Sequence, residues 1–202
     1  MNIFVTGGAG YIGSATADAL LKEGHSVTVY DSLMTGYRAA VPEAARFIQA
    51  DLADASALAA ALASEKYDAV MHFAAFIEAG ESMKDPGKFF KNNLANSLQL
   101  TEAAHRAGVK RFVLSSTAAV YASSDAPLSE ESPIEPANAY GFTKLAIEQV
   151  LDWYRRIHGM RYAALRYFNA CGALPGRGEA HQPESHLIPL VLRVALDRKS
   201  VV

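Results

Sequence analysis

Short apolar runs alternate with longer amphipathic ones along most of the chain. Residues 2–6, 26–30, 46–49, 69–72, 111–115 and 162–166 are short β-rich runs, and several are apolar on both faces. Strands buried in a parallel sheet have this character, whereas half-solvated strands alternate strictly. Between them, residues 11–23, 55–64, 86–107 and 140–158 repeat apolar positions at three- and four-residue intervals, the period of a helix with one buried face. Gly24 and Gly108 stand where a glycine ends a helix, each just before the next strand. Strands alternating with helices predict right-handed βαβ units. The expected fold class is α/β, a doubly wound parallel sheet with helices on both faces.

Two stretches break the alternation. Residues 122–138 contain Pro127, Pro133 and Pro136 among Ser and Glu, and predict a long loop over the sheet. Residues 169–185 contain Gly172, Pro175, Gly176, Gly178 and Pro183 and predict an irregular segment. A final helical run, residues 186–198, leads to Ser200-Val201-Val202, which reads as the beginning of another strand.

Composition narrows the function. The 202 residues are 50% hydrophobic and 20% charged, with a net charge of −2. That balance leaves no electrostatic footprint for nucleic acid or an anionic membrane surface. The first apolar run, Ile3 to Val5, is strand-sized, far short of a signal peptide or membrane span. Cys171 is the single cysteine, so no intrachain disulfide forms, and a reducing, cytoplasmic location is expected.

The chemistry begins in the first turn. Thr6-Gly7-Gly8-Ala9-Gly10-Tyr11-Ile12-Gly13 follows the first strand and opens the first helix, and Gly8, Gly10 and Gly13 satisfy G-x-G-x-x-G. Glycines there permit a tight turn, backbone approach to a pyrophosphate and close helix–strand packing. The helix N-terminus adds free N–H groups and a positive dipole end. Asp31 ends the second strand, where a carboxylate accepts both ribose hydroxyls of NAD and repels the extra phosphate of NADP; Arg38 nearby is the residue that would favour NADP. A Rossmann-type dinucleotide site, with NAD as cofactor, is the expectation. Asp51 and Leu52, after the third strand, either border the adenine or belong to a helix cap, for which Asp54 is the better candidate. Phe73, Ala74 and Ala75 follow the fourth strand at the carboxyl edge, where ligands of such sheets bind.

Tyr140 and Lys144 are four residues apart on a predicted helix and so share a face. Ser115-Ser116-Thr117 closes the preceding strand at the same carboxyl edge. A free phenol, with a pKa near 10, is a poor base at neutral pH. A lysine and a positive nicotinamide beside it favour phenolate, which would let Tyr140 take a proton from a sugar hydroxyl. Thr117 would hydrogen-bond that oxygen, and Lys144 would also hold the nicotinamide ribose. Thr117, Tyr140 and Lys144 are the expected catalytic residues.

These residues, with His72-Phe73-Ala74-Ala75, Asn92 and Leu165-Arg166-Tyr167-Phe168-Asn169, resemble the extended short-chain dehydrogenase/reductase family, in its NAD-dependent epimerase/dehydratase branch. The resemblance covers essentially the whole chain. Gly80-Glu81-Ser82, Arg166-Tyr167-Phe168-Asn169-Ala170 and Ser185-His186-Leu187-Ile188-Pro189 bring it closest to the nucleotide-sugar 4-epimerases. The resemblance implies interconversion of UDP-glucose and UDP-galactose through a 4-keto sugar, with NAD regenerated each turnover. It implies cofactor contacts from Gly7, Gly8, Gly10, Tyr11, Ile12, Gly13, Asp31, Asp51, Leu52, Phe73, Ala74, Ala75, Asn92, Ser115, Tyr140, Lys144 and Phe168. Substrate contacts would come from Thr117, Asn169, His186 and Leu187. It also implies a homodimer built from the helices running from Pro86 to Ala107 and from Tyr140 to His158. Nucleotide-sugar dehydratases carry an Asp-Glu pair after the strand-end threonine; Ala118 and Ala119 stand here, which counts against that branch. Decarboxylases and pentose or uronate epimerases stay open, as do a net dehydrogenase and a non-catalytic dinucleotide-binding module.

Members of that branch run well past residue 202. Residues 1–168 are expected to form the NAD-binding domain and residues 169–202 part of a substrate lobe. Such a chain would keep the catalytic groups and bind sugar nucleotide weakly. Ile77 falls where some relatives place a lysine, removing one phosphate contact. His181 and His186 with Glu179 and Glu184 lack metal-ligand spacing, so no metal is expected. Trp153, Tyr154 and Val150 are expected to form a buried or dimer-facing stripe.

Overall fold

The computed structural model describes residues 1–180 and 187–197. Six parallel strands, β1 (Asn2–Thr6), β2 (Ser26–Asp31), β3 (Arg46–Gln49), β4 (Ala69–His72), β5 (Arg111–Thr117) and β6 (Arg161–Tyr167), form one sheet in the order β3-β2-β1-β4-β5-β6. The helices are α1 (Tyr11–Lys22), α2 (Ala55–Ala63), α3 (Ala79–Ser82), α4 (Pro86–Phe89), α5 (Asn96–Arg106), α6 (Ala139–His158) and α7 (Leu187–Asp197). The order reverses between β1 and β4, which opens a crevice at their carboxyl ends.

The period-2 geometry of the strands divides the core into two layers. Phe4, Tyr30, Val70, Phe112 and Leu114 meet Leu58 and Leu62 of α2, Leu100 of α5, and Ile147 and Leu151 of α6. On the opposite face Ile3, Val5, Val27 and Val29 pack with Ala17 of α1. Asp54 caps α2 by accepting from the Ser56 and Ala57 N–H groups, and Asn138 caps α6 through Gly141 N–H. Gly24, Gly108 and Gly159, all at positive φ, end the helices as glycine does at C′.

One feature departs from the sequence expectation. The run from residue 86 to 107 is not one helix: a π-helical turn, Phe90–Ala95, separates α4 from α5. It carries Asn93 inward, where its side chain accepts from Phe76 N–H and donates to the Phe76 carbonyl, each at 2.9 Å. Insertions of this kind gather at functional sites. The irregular segment after β6 folds back onto the amino-terminal unit: Tyr11 hydroxyl donates to Gly172 O at 2.5 Å, Tyr37 hydroxyl to Ala180 O at 3.1 Å, and Arg177 pairs with Asp18 at 2.8 Å. No helix among the described residues is long and apolar enough to cross a membrane.

Candidate active site

β1 hands directly to the glycine loop. Gly7 sits at φ 72°, and a Cβ there would lie 2.4 Å from Ala74 N, so the loop packs on the segment after β4. A Cβ on Gly13 would lie 2.2 Å from Gly7 O, which closes the first turn of α1 tightly against the loop. No side chain caps α1 and no acid stands in its first turn. An uncapped N-terminus with that polarity suits an anion.

The Asp31 carboxylate is pinned against this loop. Its Oδ2 accepts from Ala9 N–H at 2.9 Å and its Oδ1 from Leu33 N–H at 2.8 Å. Each oxygen keeps lone-pair capacity for a further donor. Uncapped helix, glycine loop and oriented acid fit a dinucleotide with free ribose hydroxyls. Arg38, the residue that would favour a 2′-phosphate, lies 4.7 Å over the Phe47 ring instead. Asp51 is no helix cap: it accepts from Ala53 N–H at 2.8 Å, while Asp54 does the capping. Leu52 is buried, and Phe73, Ala74 and Ala75 line the far side of the loop, half-buried. Asn92 is half-buried in the π-turn and donates to Asn93 at 3.0 Å.

Across the crevice, Thr117 ends β5 and accepts from Ala119 N–H at 3.1 Å. α6 starts hard against that turn, because a Cβ on Gly141 would lie 2.4 Å from Ala119 O. The close approach brings Tyr140 to Thr117, whose hydroxyl hydrogen-bonds the phenol. Ser82 Oγ of α3 accepts from Tyr140 N–H at 3.1 Å. Lys144 is 2% exposed, and its Nζ donates to the Ser115 carbonyl at 2.8 Å.

The ionisation differs from the sequence expectation. Burial pushes the Tyr140 phenol up, the Thr117 hydrogen bond pulls it down, and the Glu78 carboxylate pushes it up again. Lys144 is not among the groups that move it, since an ammonium that titrates at about 8 has lost its charge before the raised phenol ionises. Burial holds Lys144 itself down at about 8.

Behind these groups lies a buried polar layer that the sequence did not announce. His72 Nδ1 is 2.6 Å from Thr6 Oγ1 and Nε2 is 2.6 Å from Ser97 Oγ. Burial, followed by the Lys144 charge, holds His72 down at about 3, so the ring is neutral. Glu148 of α6 accepts from Ser116 hydroxyl and pairs with Arg166 of β6. Charged residues inside the periodic apolar pattern of the helix and strand runs were the available signal for Glu148 and Arg166. Gly141, inside the Tyr-Lys spacing, was another.

Not every expected residue joins this cluster. Phe168 and Asn169 follow β6 at the same carboxyl edge and are exposed. Leu187, at the start of α7, is 69% exposed, and His186 lies outside the described residues. No group of three or more His, Cys, Asp or Glu able to hold a metal occurs among the described residues.

A family model described as the NAD dependent epimerase/dehydratase family matches residues 3–202. The chain is 47% identical over 198 residues to the UDP-glucose 4-epimerase of Lacticaseibacillus casei, covering 96% of this chain and 60% of that protein. A crystal structure of a UDP-glucose 4-epimerase superposes over 100% of this chain and 62% of its own with a TM-score of 0.94 at 45% identity. The UDP-glucose 4-epimerase of Brucella ovis, solved with NAD, gives the same coverage and TM-score at 40% identity. The chain thus spans about 60% of the length of the relatives it matches.

Proposed function

The chain belongs to the NAD dependent epimerase/dehydratase family, and from that premise we propose that it carries the cofactor site and catalytic groups of a UDP-glucose 4-epimerase, inverting C4 of a UDP-hexose through a 4-keto sugar. The observation that carries the reading is the meeting of Thr117, Tyr140 and Lys144 at the carboxyl edge that also holds the glycine loop and Asp31. Ala118 and Ala119 supply no acid–base pair for eliminating water, which favours epimerisation over dehydration.

NAD, held by the glycine loop, Asp31 and the half-buried residues after β4, supplies a hydride acceptor and donor at C4 when bound. Thr117 hydrogen-bonds the 4-hydroxyl oxygen and fixes its direction. Tyr140 takes the hydroxyl proton as the carbon is oxidised and returns it on reduction, so no net proton is consumed. Lys144, held on the Ser115 carbonyl one helical turn away, would also hold the nicotinamide ribose. Phe168 belongs to the cofactor side and Asn169 to the substrate side in this reading, with residues 1–168 as the NAD-binding domain.

A homodimer is part of the proposal. Phe142, Trp153 and Ile157 are exposed and recur at i, i+11 and i+15 of α6, with Leu98 exposed on α5. An apolar stripe of this length on neighbouring helices suits a second copy. Sedimentation should give a dimer that Trp153→Glu dissociates; a wild-type monomer at micromolar concentration removes this part.

The decisive experiment incubates the chain with NAD and UDP-galactose and separates the products. UDP-glucose formed by the wild type and abolished in Tyr140→Phe, with NAD still bound, supports the reading. Retained NAD without product replaces it with a dinucleotide-binding module.

A further inference from the structure

Arg166 lies near the carboxyl end of β6, and each of its three guanidinium nitrogens donates a hydrogen bond. Its Nε and Nη2 donate to Glu148 Oε1 and Oε2 at 3.1 and 2.6 Å, and its Nη1 donates to Tyr121 hydroxyl at 2.9 Å. The guanidinium also lies 4.8 Å from the Tyr121 ring centre. Glu148 accepts a further bond, from the Ser116 hydroxyl, at 2.5 Å. The side chains of Glu148 and Arg166 are 8% and 20% exposed. The network therefore joins β5, β6, α6 and the turn after β5 through groups withdrawn from water.

Stability is a weak reason for such a network. Desolvating two charges roughly offsets their attraction, and an apolar pair of similar volume serves packing as well. What an apolar pair does not supply is direction. A bidentate guanidinium–carboxylate contact fixes both planes and both distances.

The direction it fixes is the one the site needs. Ser116 lies between Ser115, whose carbonyl seats Lys144, and Thr117, which bonds Tyr140. Glu148 lies one helical turn beyond Lys144 on α6. The two elements are therefore joined twice, one turn apart, by Lys144 to Ser115 and by Glu148 to Ser116. We propose that Ser116, Glu148 and Arg166 form a positioning lock that sets the seat of Lys144, and with it the approach of Tyr140 to Thr117. These are positioning residues: they act through Lys144 and touch no reacting atom. The catalytic meaning of the lock rests on the proposed function, but its test reads Lys144 directly.

Lys144 is a suitable reporter because burial is what depresses its ionisation. The groups around it add little that varies: His72 on β4 is neutral, the Ser115 carbonyl does not titrate, the Tyr140 phenol is raised, and Glu148 is matched by Arg166. The double variant Glu148→Met/Arg166→Met removes both charges together and keeps the volume. NMR titration of the NAD-free chain with labelled lysine, assigned by Lys144→Met, gives the readout. The proposal expects Lys144 to leave its seat and titrate near its ordinary value of 10.5 instead of about 8, a rise of more than about 100-fold in proton affinity. A folded double variant in which Lys144 still titrates near 8 overturns it, since a structural ion pair alone predicts that result. If the double variant does not fold, Ser116→Ala, which spares the ion pair, must move Lys144 upward; no movement there overturns the proposal. A Tyr140→Phe protein that still turned over would sink the functional reading and leave this result intact.

Discussion

Nε2 of His72 lies 2.6 Å from the Ser97 hydroxyl, and that hydroxyl donates its own proton to the Asn93 carbonyl. Ser97 must then accept from the ring, which fixes the Nε2–H tautomer and leaves Nδ1 to accept from Thr6. A histidine so occupied on both sides, and buried, has no room for a second proton.

The acid sensitivity of the fold follows from that ring. His72 titrates near 3 in the folded chain, against about 6.5 when unfolded. Between those values only the unfolded chain takes up the proton, so stability falls as pH drops below about 6.5. The expected loss from this residue is about 2 kcal/mol at pH 5. Urea unfolding of wild type and His72→Gln at pH 7 and pH 5 checks it. The variant should be weaker at pH 7 but lose correspondingly less on acidification; equal losses would remove His72 as the cause.

Lys144 acts in the same direction at higher pH. Its folded value of about 8 lies below the ordinary 10.5, so the folded chain releases this proton first. The burden of the buried charge is complete below about pH 8 and is relieved as pH rises toward 10.5. Relative to Lys144→Met, wild type should gain about 3 kcal/mol across that window. A pH-independent difference between the two proteins would show that the ammonium is solvated.

Two glycines of the first loop should separate folding from binding. Gly13→Ala forces a Cβ to 2.2 Å from Gly7 O and should cost at least about 3 kcal/mol of stability. Gly10→Ala meets only Gly7 O, at 3.3 Å, and should cost about 1 kcal/mol or less. Thermal unfolding and NADH fluorescence titration should find Gly10→Ala folded and weakened in binding. Equal stability of the two variants would contradict the packing described.

Asp31 has a double task. Asp31→Ala strips acceptors from Ala9 and Leu33, the latter held at φ 61°, and should cost about 1–3 kcal/mol. NADH affinity should fall by roughly 10- to 100-fold, the equivalent of charge-assisted hydrogen bonds lost. Unchanged affinity in a folded variant would move the ribose away from this carboxylate.

The strands were legible because burial on two faces leaves an unbroken apolar run, as at Phe4-Val5 and Phe112-Val113-Leu114. Asp31 and the glycine loop were legible because the chemistry needs them in sequence order. The break in the helix around Asn92 and Asn93 was hidden, since one extra residue per turn leaves the local apolar pattern nearly unchanged. The seat of Lys144 was hidden for a different reason. Helical spacing puts Lys144 beside Tyr140, but only the pairing of β5 with β6 and the packing of α6 bring the Ser115 carbonyl within reach. The partners of Glu148 and Arg166 are likewise long-range, set by the topology.

The segment that folds back on the glycine loop has a consequence for the order in which the molecule assembles. Its three ties to Tyr11, Asp18 and Tyr37 close over 161, 159 and 143 residues of chain, whereas β1 pairs with β2 about one helix later. Contacts so distant in sequence form late, after the local units have ordered the chain between them. During synthesis, β1, the glycine loop and β2 are complete long before residue 172 leaves the ribosome. The outer wall of the first crevice is the last part of it to be built.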